Sequence, residues 1–303
     1  MSVVLDDPKT SDAGSVLVLG SGSLGSAIAS ALTSSGRSRR RAVDIPWESS
    51  RRAQALTGAI TALPRGSRNV VVWAAGRAGF SSDVETCEKE RLAFEDVAVS
   101  LEALAASRGP DAASFHVVSS AGGLYEGLTR VMSGSPLTPR RPYGQLKHAQ
   151  EMRARAMNTS IPVYIYRVSS VYGRPLSDHR VSLIGELIRN GVDRKPSTLY
   201  GKMDTLRDYV NNEEIAHHIA RRINEQRAAD SQPEMLVAGR PASVSQVVDL
   251  VERVLRRRLL VSFAEAWNAR DISFDPALRP LDFRPEPLQT GIARVLFQYL
   301  SKR

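Results

Sequence analysis

The segment Ser15-Val-Leu-Val-Leu-Gly20 runs straight into Ser21-Gly22-Ser-Leu-Gly25, and a helix-compatible stretch from Ser26 to Ser34 follows, ended by Gly36. Three glycines at this spacing, between a short buried strand and a helix, constrain the fold more than any other feature of the chain. The first permits a tight turn, the second lets the backbone approach a pyrophosphate, and the third lets helix and strand pack closely. The helix amino terminus then offers N–H groups and a positive dipole end to phosphate. Gly20, Gly22, Ser23, Leu24 and Gly25 are therefore expected to hold a dinucleotide. The competing reading is a glycine-rich turn without a ligand; the strand-to-helix placement speaks against it.

The rest of the first half repeats the strand–helix alternation. Val70–Gly76 reads as a buried strand, and Glu85–Arg108 as a long helix with Leu92, Val97, Leu101 and Leu104 on its apolar face, ended by Gly109-Pro110. Strand Phe115–Ser120, helix Tyr143–Met157 and strand Val163–Val168 follow. This alternation predicts βαβ units, hence an α/β chain with a doubly wound parallel sheet. Between Asp44 and Val70 no clear strand is found. Residues 1–13 read as a flexible amino terminus, 14–176 as the dinucleotide-binding domain, and 177–303 as mainly a smaller carboxyl-terminal α/β substrate lobe. Segments around 205–245 are candidates to return to the main sheet.

Charge and composition narrow the function classes. The longest apolar runs are too short to cross a bilayer. The first residues carry Asp6 and Asp7 where a secretory signal carries Lys or Arg, so a cytoplasmic protein is expected. The single cysteine, Cys87, excludes an intrachain disulfide and a cysteine-cluster metal site, and Glu85, Glu88 and Glu90 beside it disfavour a thiolate. The adjacent pair His217-His218 reads as surface histidines, because neighbouring helical residues point about 100° apart and cannot clamp one ion. No metal is expected. The net charge of +9 gathers at Arg37, Arg39, Arg40, Arg41, Arg51 and Arg52 and at Arg256-Arg257-Arg258. Such an excess suits anionic small substrates, nucleic acid, or a merely solvated basic face. No helix-turn-helix, zinc-finger or RRM pattern surrounds these arginines, so nucleic acid is the weaker expectation.

Three further groups of residues carry chemistry. Asp44 lies 19 residues beyond Gly25, near the end of a plausible strand Arg41–Ile45. An acid there bonds the ribose hydroxyls of NAD and repels the extra phosphate of NADP, whereas Arg39, Arg40 and Arg41 would welcome that phosphate. NAD is favoured and NADP stays open. In Tyr143-Gly-Gln-Leu-Lys147 the spacing of four puts both side chains on one helical face, one turn apart. An ammonium beside a phenol favours the phenolate, which suits proton exchange with a sugar hydroxyl while hydride moves to or from a nicotinamide. Ser119-Ser120 ends a strand, where a hydroxyl can hold the reacting oxygen against the tyrosine. Either serine fits, with Ser120 preferred.

These motifs, in this order, resemble the extended short-chain dehydrogenase/reductase family, specifically its NAD-dependent epimerase/dehydratase branch acting on nucleotide sugars. Val70–Gly76 resembles that family's strand ending in paired alanines beside the cofactor, here Ala74 and Ala75. Val118–Tyr125 resembles its serine-bearing strand end, Pro142–Lys147 its catalytic helix, and Tyr166–Gly173, with Val168 and Ser170, its nicotinamide-pocket segment. Leu199-Tyr200-Gly201 and Thr205–Val210 resemble its substrate-lobe element, in which the arginine, here Arg207, grips the nucleotide diphosphate. The resemblance implies a Rossmann-type fold, catalytic Ser120, Tyr143 and Lys147, cofactor contacts from Gly20 to Gly25 and at Asp44, Ala74, Ala75, Lys147 and Val168, and substrate contacts at Ser170, Tyr200 and Arg207. It also implies a homodimer formed through helices Glu85–Arg108 and Tyr143–Met157.

The sequence departs from the family pattern in places. Leu19 stands where an extra glycine is usual, an extra residue precedes Tyr125, and Ser170 replaces an asparagine. Ala121-Gly122-Gly123 follows the catalytic hydroxyl where dehydratases carry an acidic pair, which makes dehydration the least expected reaction. A nucleotide-sugar 4-epimerase is expected first and a nucleotide-4-ketosugar reductase second. The rival from another class is a non-catalytic dinucleotide-binding regulator that uses its basic faces to hold RNA or protein.

Overall fold

A seven-stranded sheet organises the first of two compact units in the computed structural model, which describes residues 2–6, 14–35, 40–47, 49–65, 68–174, 181–225, 232–264 and 270–301. In chain order the elements are β1 (Ser2–Asp6), β2 (Val16–Leu19), α1 (Ser23–Ser34), β3 (Arg40–Asp44), α2 (Ser49–Thr61), β4 (Asn69–Trp73), α3 (Val84–Arg108), β5 (Ala113–Ser120), α4 (Ala121–Leu124), α5 (Pro142–Ala156) and β6 (Val163–Val168). There follow β7 (Ser170–Tyr172), α6 (Leu183–Asp193), β8 (Ser197–Tyr200), β9 (Leu206–Arg207), β10 (Tyr209–Asn211), α7 (Asn212–Glu225), β11 (Glu234–Leu236), β12 (Ala242–Ser243), α8 (Val244–Leu255), β13 (Val261–Ala264) and α9 (Leu288–Leu300).

The first unit takes Met1–Leu124, Pro139–Arg167 and Ile215–Glu234. Its sheet has the order β11-β6-β5-β4-β2-β1-β3. β2, β4 and β5 run parallel, with Val16 opposite Val70 and Asn69 opposite Ala113. Every residue of β2 and β4 is buried, so these strands read as unbroken apolar runs without alternation. Trp73 on β4 meets Phe94 on α3 edge-on at 5.3 Å, and Phe94 meets Phe115 on β5 at 5.6 Å. That aromatic chain ties the long helix to the centre of the sheet.

The sheet corrects one reading of the sequence. Residues 2–6, read as part of a flexible terminus, form β1, which pairs antiparallel with both β2 and β3; Val3 lies opposite Leu19 on one side and Val43 on the other. Residues 7–13 and the expected helix stop Gly36 fall outside the described residues. With β1 inserted, β3 and Asp44 at its end stand one strand further from β2, about 10 Å away instead of about 5 Å. The stretch without a clear strand after Asp44 holds helix α2.

Helix α3 starts where Asp83 accepts a hydrogen bond from the Thr86 N–H at 2.8 Å and stops at Gly109, whose φ of 91° lies in the left-handed region. Its buried face is Ala93, Phe94, Val97, Ala98, Leu101 and Leu104. Leu92, expected on that face, is exposed, because five residues of helix turn it about 140° away from Val97. His217 is exposed as expected, but His218 is buried on the inner face of α7 with Ile215 and Ile219, and its Nε2 lies 2.6 Å from Glu234.

The second unit takes Tyr125–Thr138, Val168–Glu214 and Met235–Arg303, so it starts well ahead of residue 177. Its core is apolar packing of Ile184, Leu187 and Ile188 on α6, Val247 and Val251 on α8, and Ile292 and Val295 on α9. The pairs β7–β10 and β8–β13 are parallel, and β9–β12 is antiparallel. Ser243 and Gln246 form a capping box that starts α8.

Two measurements test this packing. A Cβ at Gly144 would collide with the Gly123 carbonyl oxygen. Alanine gains up to about 1 kcal/mol of helix propensity, whereas overpacking against backbone costs about 1–3 kcal/mol; Gly144→Ala should lower urea-unfolding stability, and an unchanged value contradicts the close approach. Buried His116, bonded to the Tyr166 hydroxyl at 2.9 Å, has its pKa pushed down by burial from 6.5 to about 3. The unfolded chain therefore takes up a proton that the folded histidine refuses, and stability falls as pH drops from 6.5 towards 3. His116→Asn should lose less stability than the wild type between these limits, and identical pH profiles would contradict the assignment.

Candidate active site

Gly20 adopts φ 121°, and a Cβ there would lie 2.5 Å from the Ala74 carbonyl oxygen. A Cβ on Gly25 would collide with the Gly20 carbonyl oxygen. These two glycines are sealed by backbone on backbone. Gly22 differs, because nothing lies within 4 Å of the place its Cβ would occupy. The first bond of α1 that closes on this residue runs from the Ser26 N–H to the Gly22 carbonyl at 2.9 Å. The N–H groups of Ser23, Leu24 and Gly25 in the first turn precede that closure. A tight turn, an open second glycine and a helix amino terminus fit a bound pyrophosphate. Ala74, whose N–H bonds the Leu19 carbonyl at 2.8 Å, and Ala75 complete this edge of the loop. Asp44 ends β3 with its backbone paired to Ser2; its side chain lies outside what is described. Val168 is buried at the end of β6.

The second cluster of the same unit centres on α5. Pro142 occupies its first turn, where a missing N–H costs nothing. Tyr143 is half-buried, and its ring edge lies 3.2 Å from where a Cβ on Gly123 would stand. Only glycine there admits the ring so closely. Ser120 Oγ accepts the Gly123 N–H at 3.0 Å, which leaves the serine O–H to donate elsewhere. Ser119 is engaged differently: its Oγ donates to Glu151 Oε1 at 2.6 Å, and Glu151 also holds the Arg167 guanidinium at 2.7 Å. Successive strand residues face opposite ways, so one serine anchors the buried ion pair and the other caps the turn beside Tyr143.

Lys147 Nζ stands 5.7 Å from the Tyr143 ring centroid. It donates to Glu90 Oε1 at 3.0 Å and to Gln150 Oε1 at 2.9 Å, and all three side chains are buried. Sequence reasoning treated Glu90 only as a neighbour of Cys87. The signal was its place in the buried stripe Cys87–Glu90–Phe94–Val97, where a carboxylate needs a partner. Burial pushes the Cys87 thiol up, with Glu90 and Asp83 adding to the effect, which disfavours a thiolate there. Arg52, counted with the basic excess, is buried and pairs with Asp96 at 2.6 Å.

In the second unit, Arg207 Nη1 donates to the carbonyls of Leu206, at 2.9 Å, and Arg270. The N–H of Ser170 bonds the carbonyl of Asp208, the residue next to Arg207, at 2.9 Å. Asp208, which the sequence reading passed over, accepts the N–H groups of Ala238 and Gly239 at 2.7 Å and of Arg240 at 3.2 Å. Burial still pushes its carboxyl up. Tyr200 lies on β8, in a different small sheet, and is exposed. Among the described residues no three His, Cys, Asp or Glu side chains are placed to hold a metal ion, and no helix is long and apolar enough to cross a membrane.

Residues 16–239 match the family model described as "NAD dependent epimerase/dehydratase family". The chain belongs to this family, whose members are NAD-dependent enzymes of the extended short-chain dehydrogenase/reductase type. Its first unit is accordingly a Rossmann-type α/β fold. MoeE5, solved with UDP-glucuronic acid and NAD, is 21% identical with a TM-score of 0.75, covering 93% of this chain and 96% of its own. The UDP-glucose 4-epimerase of Thermus thermophilus, solved with NAD, is 19% identical with a TM-score of 0.72, covering 93% and 97%. The UDP-glucose 4-epimerase of Thermotoga maritima, solved with UDP-glucose, is 16% identical with a TM-score of 0.76 and the same coverage. No curated protein sequence matches this one.

Gly22→Val separates the loop's binding role from its structural one. Its backbone, at φ −68° and ψ −177°, is open to any residue, so the variant should melt within a few degrees of wild type while NAD affinity by calorimetry falls at least about tenfold. Unchanged affinity would remove the loop from the binding site.

Proposed function

We propose that the protein is an NAD-dependent nucleotide-sugar 4-epimerase that works by transient oxidation at C4 with Ser120, Tyr143 and Lys147. The observation that carries this reading is the placement of Tyr143 against Gly123, beside the turn capped by Ser120, with the Lys147 ammonium 5.7 Å from its ring. NAD, held by the glycine loop Gly20–Gly25, would supply the acceptor and donor for the C4 hydride. Tyr143 Oη takes the proton of the C4 hydroxyl as the C–H bond breaks and the alcohol becomes a ketone, and it gives the proton back in the reverse step. The Ser120 O–H, free to donate because its oxygen accepts the Gly123 N–H, holds the C4 oxygen in both states. The Lys147 ammonium, 5.7 Å from the centre of the Tyr143 ring, places a positive charge beside the group that receives this proton. Return of hydride to the opposite face of a turned sugar inverts C4.

Ala121-Gly122-Gly123 fold as the buried helix α4 directly after Ser120, so that segment offers no acid or base to eliminate water. This supports epimerisation over dehydration. A nucleotide-4-ketosugar reductase is the second reading, favoured by the short stretch between Gly173 and α6. NAD is the proposed cofactor through the loop Gly20–Gly25, Asp44, Ala74, Ala75, Lys147 and Val168; Arg40 and Arg41 on β3 keep NADP as its alternative. Ser170, Tyr200 and Arg207 are proposed substrate contacts, with Arg207 on the diphosphate. A cytoplasmic homodimer completes the proposal, supported by the exposed Leu92 and Val99 on α3 and Met152 on α5.

The test is conversion of UDP-glucose, UDP-glucuronic acid and dTDP-glucose by the purified protein with NAD. Tyr143→Phe should lower kcat by about 10²–10⁴-fold with NAD affinity unchanged, and an unimpaired variant contradicts the mechanism. Turnover that strictly consumes NADPH would replace the epimerase with the reductase.

A further inference from the structure

Glu90 is fully buried on α3, yet its two carboxylate oxygens serve different elements. Oε1 accepts the Lys147 ammonium at 3.0 Å and the Gln150 amide at 3.2 Å, both from α5. Oε2 accepts the Ala78 N–H at 2.9 Å, and a Cβ on Gly76 would lie 3.2 Å from it. One carboxylate therefore fixes the proposed catalytic lysine and the loop that leaves β4 beside Ala74 and Ala75. A buried ammonium keeps its charge only where a counter-charge and hydrogen bonds compensate its lost hydration.

We propose that Glu90 is a positioning residue that holds Lys147 in place and, by offsetting its charge, sets the pH at which Tyr143 exchanges its proton. The proposal rests on the Tyr143–Lys147 reading above. Among the described residues no other nearby group duplicates this role. On α3, Asp83 is bonded to Thr86, and Cys87 has its thiol raised by burial. On α5, Glu151 is held by Ser119 and Arg167, and Arg153 by Glu95 and Glu102. Also on α5, His148 is half-buried, and Arg141 just ahead of the helix lies over the Phe80 ring. α4 carries no titratable side chain, and His116 on β5 is held neutral by burial.

Removing the carboxylate charge leaves the ammonium uncompensated beside the phenol, which favours phenolate more strongly. The experiment is a pH titration of protein labelled with ¹³C at the tyrosine Cζ, with Tyr143 assigned as the resonance that disappears in Tyr143→Phe. In Glu90→Gln the Tyr143 phenol should bind its proton about tenfold more weakly than in wild type, and Glu90→Asp, which keeps the charge, should restore most of the wild-type midpoint. A folded Glu90→Gln with an unchanged Tyr143 midpoint overturns the proposal. Should Glu90→Gln not fold, the double variant Glu90→Gln/Lys147→Met, which removes both charges at once, should fold again, and a double variant that also fails to fold overturns the proposal. The titration needs no substrate, so an inactive protein that still shows the shift would count against the epimerase reading alone.

Discussion

Gly25 lies against the carbonyl of Gly20, and Gly144 against that of Gly123, so closely that neither position has room for a methyl group. These two backbone contacts set the geometry on which the proposed chemistry of the first unit depends. The former draws α1 onto the end of β2 and leaves the turn at Gly22 open for phosphate. The latter draws α5 onto the turn after β5, and the Tyr143 ring settles on Gly123 as a result. A catalytic group must be held to within a fraction of an ångström, and backbone contact is stiffer than side-chain packing.

Buried charge pairs then fix the side chains that glycine contact alone leaves loose. Glu90 holds Lys147, and Glu151 holds both Ser119 and Arg167. Each pair costs desolvation and adds little net stability, but losing one partner strands the other. Their value lies in orientation. They join α3 to α5 and α5 to the ends of β5 and β6, and so brace α5 and β5, which carry the proposed catalytic residues.

The sequence revealed the features whose cause is local. The glycine loop, the strand–helix alternation and the Tyr143–Lys147 spacing each depend on neighbours a few residues away. What escaped it depends on pairing across the chain. Ser2–Asp6 carries only three apolar residues beside a polar stretch, and only contact with β2 and β3 makes it a strand. Glu90 and His218 look like surface residues until their partners Lys147 and Glu234, 57 and 16 residues further along the chain, are brought to them. Leu92 escapes for a simpler reason, because five residues of α3 carry it about 140° round from Val97. Ser119 and Ser120 look alike in the sequence, and only the fold brings Glu151 to the first of them.

Transient oxidation at C4 is the centre of this account, and the fate of the C4 hydrogen tests it most directly. A UDP-hexose carrying deuterium at C4 would be incubated with the protein and NAD in ordinary water, and the sugar with inverted C4 analysed by mass spectrometry. The account predicts that the inverted sugar retains the deuterium, because hydride leaves and returns without meeting solvent. An inverted sugar that has exchanged its C4 deuterium for solvent hydrogen would contradict it.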